Sequence, residues 1–337
     1  MSKTFSTRKL LLPLVPAYRL ALELRELRLG TMLEPVRRLR WPVVSIGNLS
    51  TGGSGKTPLT IALTKKLESR GLRVDVLSRG YGRRSLHATR VDPDGTAEEF
   101  GDEPLLIALE TGAPVYVAAQ RYEAGLLAEA ECPVDSRFGL HLLDDGFQHR
   151  QLHRDVDILL LDRRDWEDGL LPAGNLREPL KAARRAGVIA IPADDTELEN
   201  ALRAWGWEGL IWRLRRAMEV PTVNGPVIAF CGIARPEPFF AGLETNSLKV
   251  AARIAFPDHH SYTNADLKRV VGAAQKMGAA ALITTEKDKI RLGKLSSVLP
   301  EYLTLTIAGL RVEIEHEDEA IEWLVNRLNQ ARTLPPL

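Results

Sequence analysis

Residues 47–58 read Gly-Asn-Leu-Ser-Thr-Gly-Gly-Ser-Gly-Lys-Thr-Pro and follow the apolar run Trp41–Ile46. A glycine-rich turn between a buried strand and a helix restricts the fold sharply. Small residues let backbone N–H groups of Gly52, Gly53, Ser54 and Gly55 converge on an anion. Ser50 and Thr51 open the turn, Lys56 adds a point charge, and the Thr57 hydroxyl suits Mg²⁺. The helix that starts here turns its positive end toward the same anion. The general phosphate-loop pattern has Gly where Ser50 stands.

Short apolar runs recur after this turn: Val74–Leu77, Val115–Ala118, Leu140–Leu143, Ile158–Leu161 and Val188–Ile191. Helical segments separate them. The pattern predicts an α/β fold with a parallel sheet covered on both faces. Ligands of such sheets gather at the carboxyl ends of strands. That rule brings Arg79, Arg121, Asp144, Asp145 and Asp162 toward one cleft. Residues 192–224 are less regular, so a boundary near 220 is expected. A second, smaller α/β lobe then begins at Val227–Phe230, with Ala281–Ile283 and Leu303–Ile307 as later strands and Asp318–Leu328 as a closing helix.

At 337 residues the chain accommodates two domains, and its net charge of +1 gives no general attraction to nucleic acid. Cys132 and Cys231 make neither a disulfide framework nor a metal cluster. Charge is concentrated in residues 1–40, with nine Lys/Arg, from Lys3 to Arg40, against three acids. The run Leu10–Tyr18 is too short to span a bilayer and holds two prolines. Leu20, Leu22, Leu24, Leu27 and Leu29 then alternate with arginines through Leu33. This segment fits two readings equally: a basic amphipathic helix on an anionic membrane, or a helix packed on the next domain.

Asp144 and Asp145 end a hydrophobic strand. Adjacent carboxylates repel unless a cation is present, which favours a metal role. Asp162 competes for it, but Arg163 and Arg164 follow and suggest a surface ion pair. Asp102 opens a helix, where it serves either as a cap or as a base or metal ligand. His259 lies in Phe256-Pro257-Asp258-His259-His260, where the two histidines after a Pro-Asp turn are either surface polar residues or a group that orients a carboxylate or relays a proton. Thr284–Asp288 crowds polar groups at a strand end facing the interdomain cleft. Arg79, Arg121 and Arg177 together suit a phosphate-bearing substrate.

These motifs, in this order, resemble those of the tetraacyldisaccharide 4′-kinase family, the lipid A 4′-kinases of Gram-negative bacteria. The resemblance rests on Ser45–Pro58, Ser78–Gly82, Gly101–Pro104, Leu143–His149, Pro172–Pro179, Phe256–His259 and Thr284–Asp288. It implies two lobes with the site between them: a basic segment 1–40 on the cytoplasmic face of the inner membrane, a phosphate-loop domain 41–220, and a second lobe 221–330. It implies transfer of the ATP γ-phosphoryl group, with Mg²⁺, to the 4′-hydroxyl of a tetraacylated glucosamine disaccharide 1-phosphate. Asp102 becomes the base and His259 its partner, with Lys56 catalytic, Thr57, Asp144 and Asp145 around the metal, and Arg79, Tyr81, Arg121 and Arg177 on the substrate. No nucleic acid or obligate protein partner is implied. A membrane-recruited ATPase switch and a soluble metabolite kinase are the rival classes. The basic apolar N-terminus argues against the second.

Overall fold

The structure, a computed structural model, describes residues 7–29, 31, 34–132 and 139–333. Its strands are β1 (Val43–Asn48), β2 (Arg73–Ser78), β3 (Thr89–Arg90), β4 (Val115–Val117), β5 (Gly139–Asp144) and β6 (Val156–Leu160). They continue with β7 (Val188–Pro192), β8 (Leu210–Glu219), β9 (Val227–Cys231), β10 (Val250–Ala255), β11 (Ala281–Thr285) and β12 (Thr304–Ile314). All belong to one sheet of order β10-β9-β11-β12-β8-β7-β6-β1-β5-β2-β4-β3. Only β12–β8 and β3–β4 run antiparallel. The expected parallel α/β sheet is present.

β1 is buried along its whole length between parallel β5 and β6. Its alternate side chains enter different cores: Val44 and Ile46 join one cluster and Val43 another. That is why these strands read as unbroken apolar runs. The carboxyl ends of β1, β2 and β5 lie side by side and present Asn48, Ser78 and Asp144.

The span 192–224 is more regular than its sequence suggests. It contains the helix Thr196–Ala204 and the ten-residue strand β8. Along β8 Trp212 and Leu214 are buried while Arg213, Arg215 and Arg216 are exposed. The arginines mask an ordinary half-buried alternation.

The lobes are joined by β8 and β12. Residues 304–308 of β12 pair with β11, whereas 309–314 pair with β8. The chain then returns: Ile314, Ile321, Leu324 and Leu328 share a core with Val44, Leu59 and Leu142. Residues 227–308 build separate clusters around Phe230, Leu282 and Ile283. The sequence reading places 221–330 in a second lobe; within that span Val312, Ile314, Ile321, Leu324 and Leu328 pack into the core built by Val44, Leu59 and Leu142. Amphipathicity shows that the helix Glu317–Thr333 buries a face, but not against which core.

At the N-terminus a 3₁₀ segment, Thr7–Leu14, leads into the helix Val15–Arg28. Pro16 sits in its first turn, where the missing N–H costs nothing. The helix ends before the expected limit; Leu33 and Lys3 lie outside the described residues. None of its residues is buried.

Candidate active site

The glycine-rich loop closes on left-handed glycines, Gly52 at φ 101° and Gly55 at φ 89°, before the helix Lys56–Ser69. Lys56 Nζ donates to Asn48 Oδ1 at 3.0 Å and lies 3.5 Å from Asp145. Thr57 is buried at the first turn. Ser50 is also buried, its hydroxyl accepting from Asn48 Nδ2 at 3.1 Å. Where the general loop has glycine, this serine therefore pins the strand exit. Thr51 N donates to the Asn175 carbonyl at 2.9 Å, and Arg177 N to the Leu49 carbonyl at 2.7 Å. The Pro172–Pro179 segment thus straps the loop from one side. From the other, Arg216 on β8 donates to the Ser54 carbonyl at 2.8 Å and covers Gly55. Gly53 has open space around it.

Asp144 ends β5 and is buried, its Oδ1 accepting from the Thr60 hydroxyl at 3.1 Å. Burial, then Glu103 and Asp145, push its carboxyl up to about 7. Lys56 and Lys287 act in the opposite direction but do not outweigh them. Asp145 turns away at φ 53° and pairs with Arg177 at 3.0 Å as well as Lys56. Burial acts to raise it, but those two cations hold it below the usual carboxylate range. Among the described residues no group of three or more His, Cys, Asp or Glu forms a ready metal cage. Buried Asp144 and half-buried Asp145 beside a glycine-rich loop still fit Mg²⁺, which takes one or two carboxylates and completes its shell with phosphates and water.

Arginines ring the acid pair. Arg121 is buried at a helix start, and burial pushes it down to about 10 against the attraction of Asp145. His149 is pushed down to about 3 by burial and by Arg121, Arg154, Arg25 and Arg79. Arg79 is exposed but belongs to this field. Such a surplus of cations around a neutral imidazole suits a phosphate.

Asp102 begins the helix Asp102–Thr111, but the cap is Gly101 at φ 91° and Asp102 makes no capping bond. A Cβ on Gly101 would meet Gly80 Cα at 3.0 Å. That close approach fastens the Arg79-Gly80-Tyr81-Gly82 loop to the start of this helix. The Asp102 carboxylate faces the second lobe instead. Its Oδ2 lies 3.3 Å from His259 Nδ1 and accepts from Arg291 Nε at 2.8 Å and from Arg291 Nη2. Burial would raise Asp102, yet the His259 bond, Arg291 and Lys287 hold it far below the usual carboxylate range. Conversely, the bond to Asp102 pushes the His259 imidazole up against the effect of burial. Tyr81 lies over His259, ring centroids 5.2 Å apart.

Sequence reasoning gave the Thr284–Asp288 stretch no role. In the fold, Lys287 Nζ donates to Glu103 at 2.5 Å, and its charge also acts on Asp144 and Asp102. Asp288 is fully buried and accepts from Tyr262, Gly232 N and Arg291. Asp162 caps the short helix Arg163–Glu167 and pairs with Arg235 of the second lobe at 3.2 Å. An ion pair is thus what Asp162 makes, but with Arg235, because its neighbour Arg163 pairs with Asp195 and Glu197. Arg291, Arg216, Lys287 and His149 are the additions that only the fold reveals.

The arrangement offers an anion cradle, a buried acid and an ionised carboxylate along one cleft. A family model described as Tetraacyldisaccharide-1-P 4'-kinase matches residues 7–329. A Tetraacyldisaccharide 4'-kinase of Koribacter versatilis is 44% identical over 304 residues, covering 86% of this chain and 91% of that protein. One from Geobacter metallireducens is 38% identical over 300 residues, covering 84% and 88%. The crystal structure of LpxK from Aquifex aeolicus in complex with ATP superposes with a TM-score of 0.75 at 31% identity, over 96% of this chain and 100% of that one. With the family model spanning nearly its whole length, this chain belongs to the tetraacyldisaccharide-1-P 4'-kinase family.

Proposed function

We propose that this protein transfers the γ-phosphoryl group of ATP to the 4′-hydroxyl of a tetraacylated glucosamine disaccharide 1-phosphate, forming lipid IVA in lipid A biosynthesis. One observation carries the reading beyond family membership. The anion cradle at Lys56 and the ionised Asp102 are linked through Asp144, Glu103 and Lys287 in a single electrostatic network.

The triphosphate lies along Gly52–Lys56, with Ser50 and Thr51 fixing the loop's entry. Thr57, Asp144 and Asp145 would hold Mg²⁺, which supplies charge against the phosphate oxygens. Asp102 Oδ1 has no hydrogen-bond partner among the described residues, because its contacts fall on Oδ2. It is the oxygen available to the acceptor hydroxyl. The 4′-oxygen forms the new P–O bond, the bond to the bridging oxygen breaks, ADP leaves, and the hydroxyl proton passes to Asp102. A carboxylate held this acidic is a weak base. The loose transition state of phosphoryl transfer needs position more than basicity. His259 orients Asp102, Lys56 stabilises charge on the transferring group, and Arg79, Tyr81, Arg121 and Arg177 receive the phosphorylated sugars.

The acyl chains remain near the N-terminal helix. Leu10, Leu12, Leu14, Leu20, Leu24 and Leu27 are exposed there. No helix among the described residues is long and apolar enough to cross a membrane. The exposed leucines support a peripheral position on a membrane, which we take to be the cytoplasmic face of the inner membrane. The test is direct: incubate purified protein with γ-labelled ATP, Mg²⁺ and the disaccharide in detergent micelles. Label in the lipid, with a mass gain of one phosphate, is expected. Label only in inorganic phosphate would instead establish the ATPase-switch class.

A further inference from the structure

Arg291 lies on the second-lobe helix Glu286–Leu292, in a run of charges with no local mark of importance. Its side chain is only 6% exposed. Four of the five guanidinium N–H groups have fixed acceptors: Nε and Nη2 reach Asp102 Oδ2, and Nη1 reaches Asp288 Oδ1 and the Gly232 carbonyl, while the remaining Nη2 N–H lies 3.3 Å from His259 Nδ1. The far side of this clamp is itself fixed. Asp288 is 0% exposed and also accepts from Gly232 N at 3.0 Å and the Tyr262 hydroxyl at 2.9 Å. The same Gly232 carbonyl accepts from His259 N at 3.1 Å.

His259 cannot do this work alone. Its Nδ1 lies 3.3 Å from both Asp102 Oδ2 and Arg291 Nη2. With a proton, Nδ1 serves the carboxylate; with a lone pair, it serves the guanidinium. Arg291 cannot make that exchange, because guanidinium stays charged and planar in proteins. Its hold on Oδ2 is therefore independent of the imidazole's state.

We propose that Arg291 is a positioning residue for the reaction: the second lobe uses its guanidinium, braced on Asp288 and Gly232, to fix Asp102 Oδ2 and aim Oδ1 at the acceptor hydroxyl. This rests on the reading of Asp102 as the acceptor's base. A misplacement of that carboxylate by about 1 Å would cost roughly 10²-fold in rate.

The test uses the full chain with R291Q, R291K, D102N and the double variant D102N/R291Q, each first checked for folding by circular dichroism. R291Q should lower kcat roughly 10²-fold with KM for ATP within about threefold of wild type. R291K, which keeps charge but not the fork, should recover part of that loss. On the D102N background R291Q should cost nothing further, because the group it positions is gone. Wild-type kcat in both Arg291 variants, or losses that multiply in the double variant, would overturn the proposal. Should R291Q not fold, R291K decides alone: kcat must fall measurably with KM for ATP held. Wild-type kcat in D102N would sink the base reading itself, a separate result.

Discussion

The Tyr18 hydroxyl donates to the Arg177 carbonyl at 2.9 Å, and the Arg177 guanidinium holds Asp145 at 3.0 Å. One hydrogen bond and one ion pair thus separate the N-terminal helix from the acid beside the phosphate loop. Arg25 adds a bond to the Gln148 carbonyl. The helix is docked on the site by its polar residues while Leu20, Leu24 and Leu27 stay exposed.

Those leucines should bind lipid. Burying a leucine is worth roughly 1.5–3 kcal/mol. Replacing Leu20, Leu24 and Leu27 with serine should cut co-sedimentation with anionic vesicles more than about tenfold. Turnover of a short-chain, water-soluble acceptor should not change. Equal vesicle binding by variant and wild type would remove the membrane role of this face.

Asp102→Asn should lower kcat by ~10²–10⁴-fold while nucleotide binding persists. Single-turnover kinetics with a fluorescent ATP analogue separates the two effects. Loss of binding with kcat intact would assign Asp102 to the nucleotide instead.

Gly101→Ala tests the contact between the two glycine turns. The backbone there has φ 91°, and a Cβ would press on Gly80 Cα at 3.0 Å. A side chain in this conformation costs more than about 1 kcal/mol. We expect a melting temperature lower by roughly 2 °C or more, with a drop in kcat because the neighbouring residue is Asp102. Normal melting and normal kcat together would mean that the turns do not depend on their close approach.

His149 gives a pH signature. Burial, with Arg121 and Arg154 beside it, pushes its imidazole down to about 3 in the fold, against roughly 6.5 in the unfolded chain. Above the unfolded value neither state binds the proton, and His149 leaves stability unchanged. As pH falls from about 6.5 toward 3 the unfolded chain gains a proton that the fold refuses, so stability is lost progressively. H149N should therefore flatten the decline of melting temperature between pH 6.5 and 4. Parallel curves for the variant and the wild type would show that the imidazole titrates normally.

Much of this was legible along the chain, and for a reason. A parallel strand buried on both faces is dominated by apolar residues, so β1, β5, β6 and β7 stand out along the chain despite buried polar positions such as Ser45 and His141. Lys56, Thr57 and the glycines before them form a local structure that sequence neighbours specify. Arg291 was hidden for the opposite reason: its partners Asp102, Gly232 and His259 are distant in sequence, and one arginine among many charges carries no local signal. β8 was concealed by the arginines on its exposed side. Ser50 illustrates a subtler gap: the motif shows that it departs from glycine, but only the Asn48 contact shows what it does instead.

The strand β12 changes partners at its midpoint, from β11 to β8, without a break. Any opening of the cleft must therefore twist a hydrogen-bonded ribbon rather than swing on a slack tether. Such a joint acts as a spring: a displacement raises its energy smoothly, and the ribbon itself drives the two halves back to rest once the force that moved them is gone.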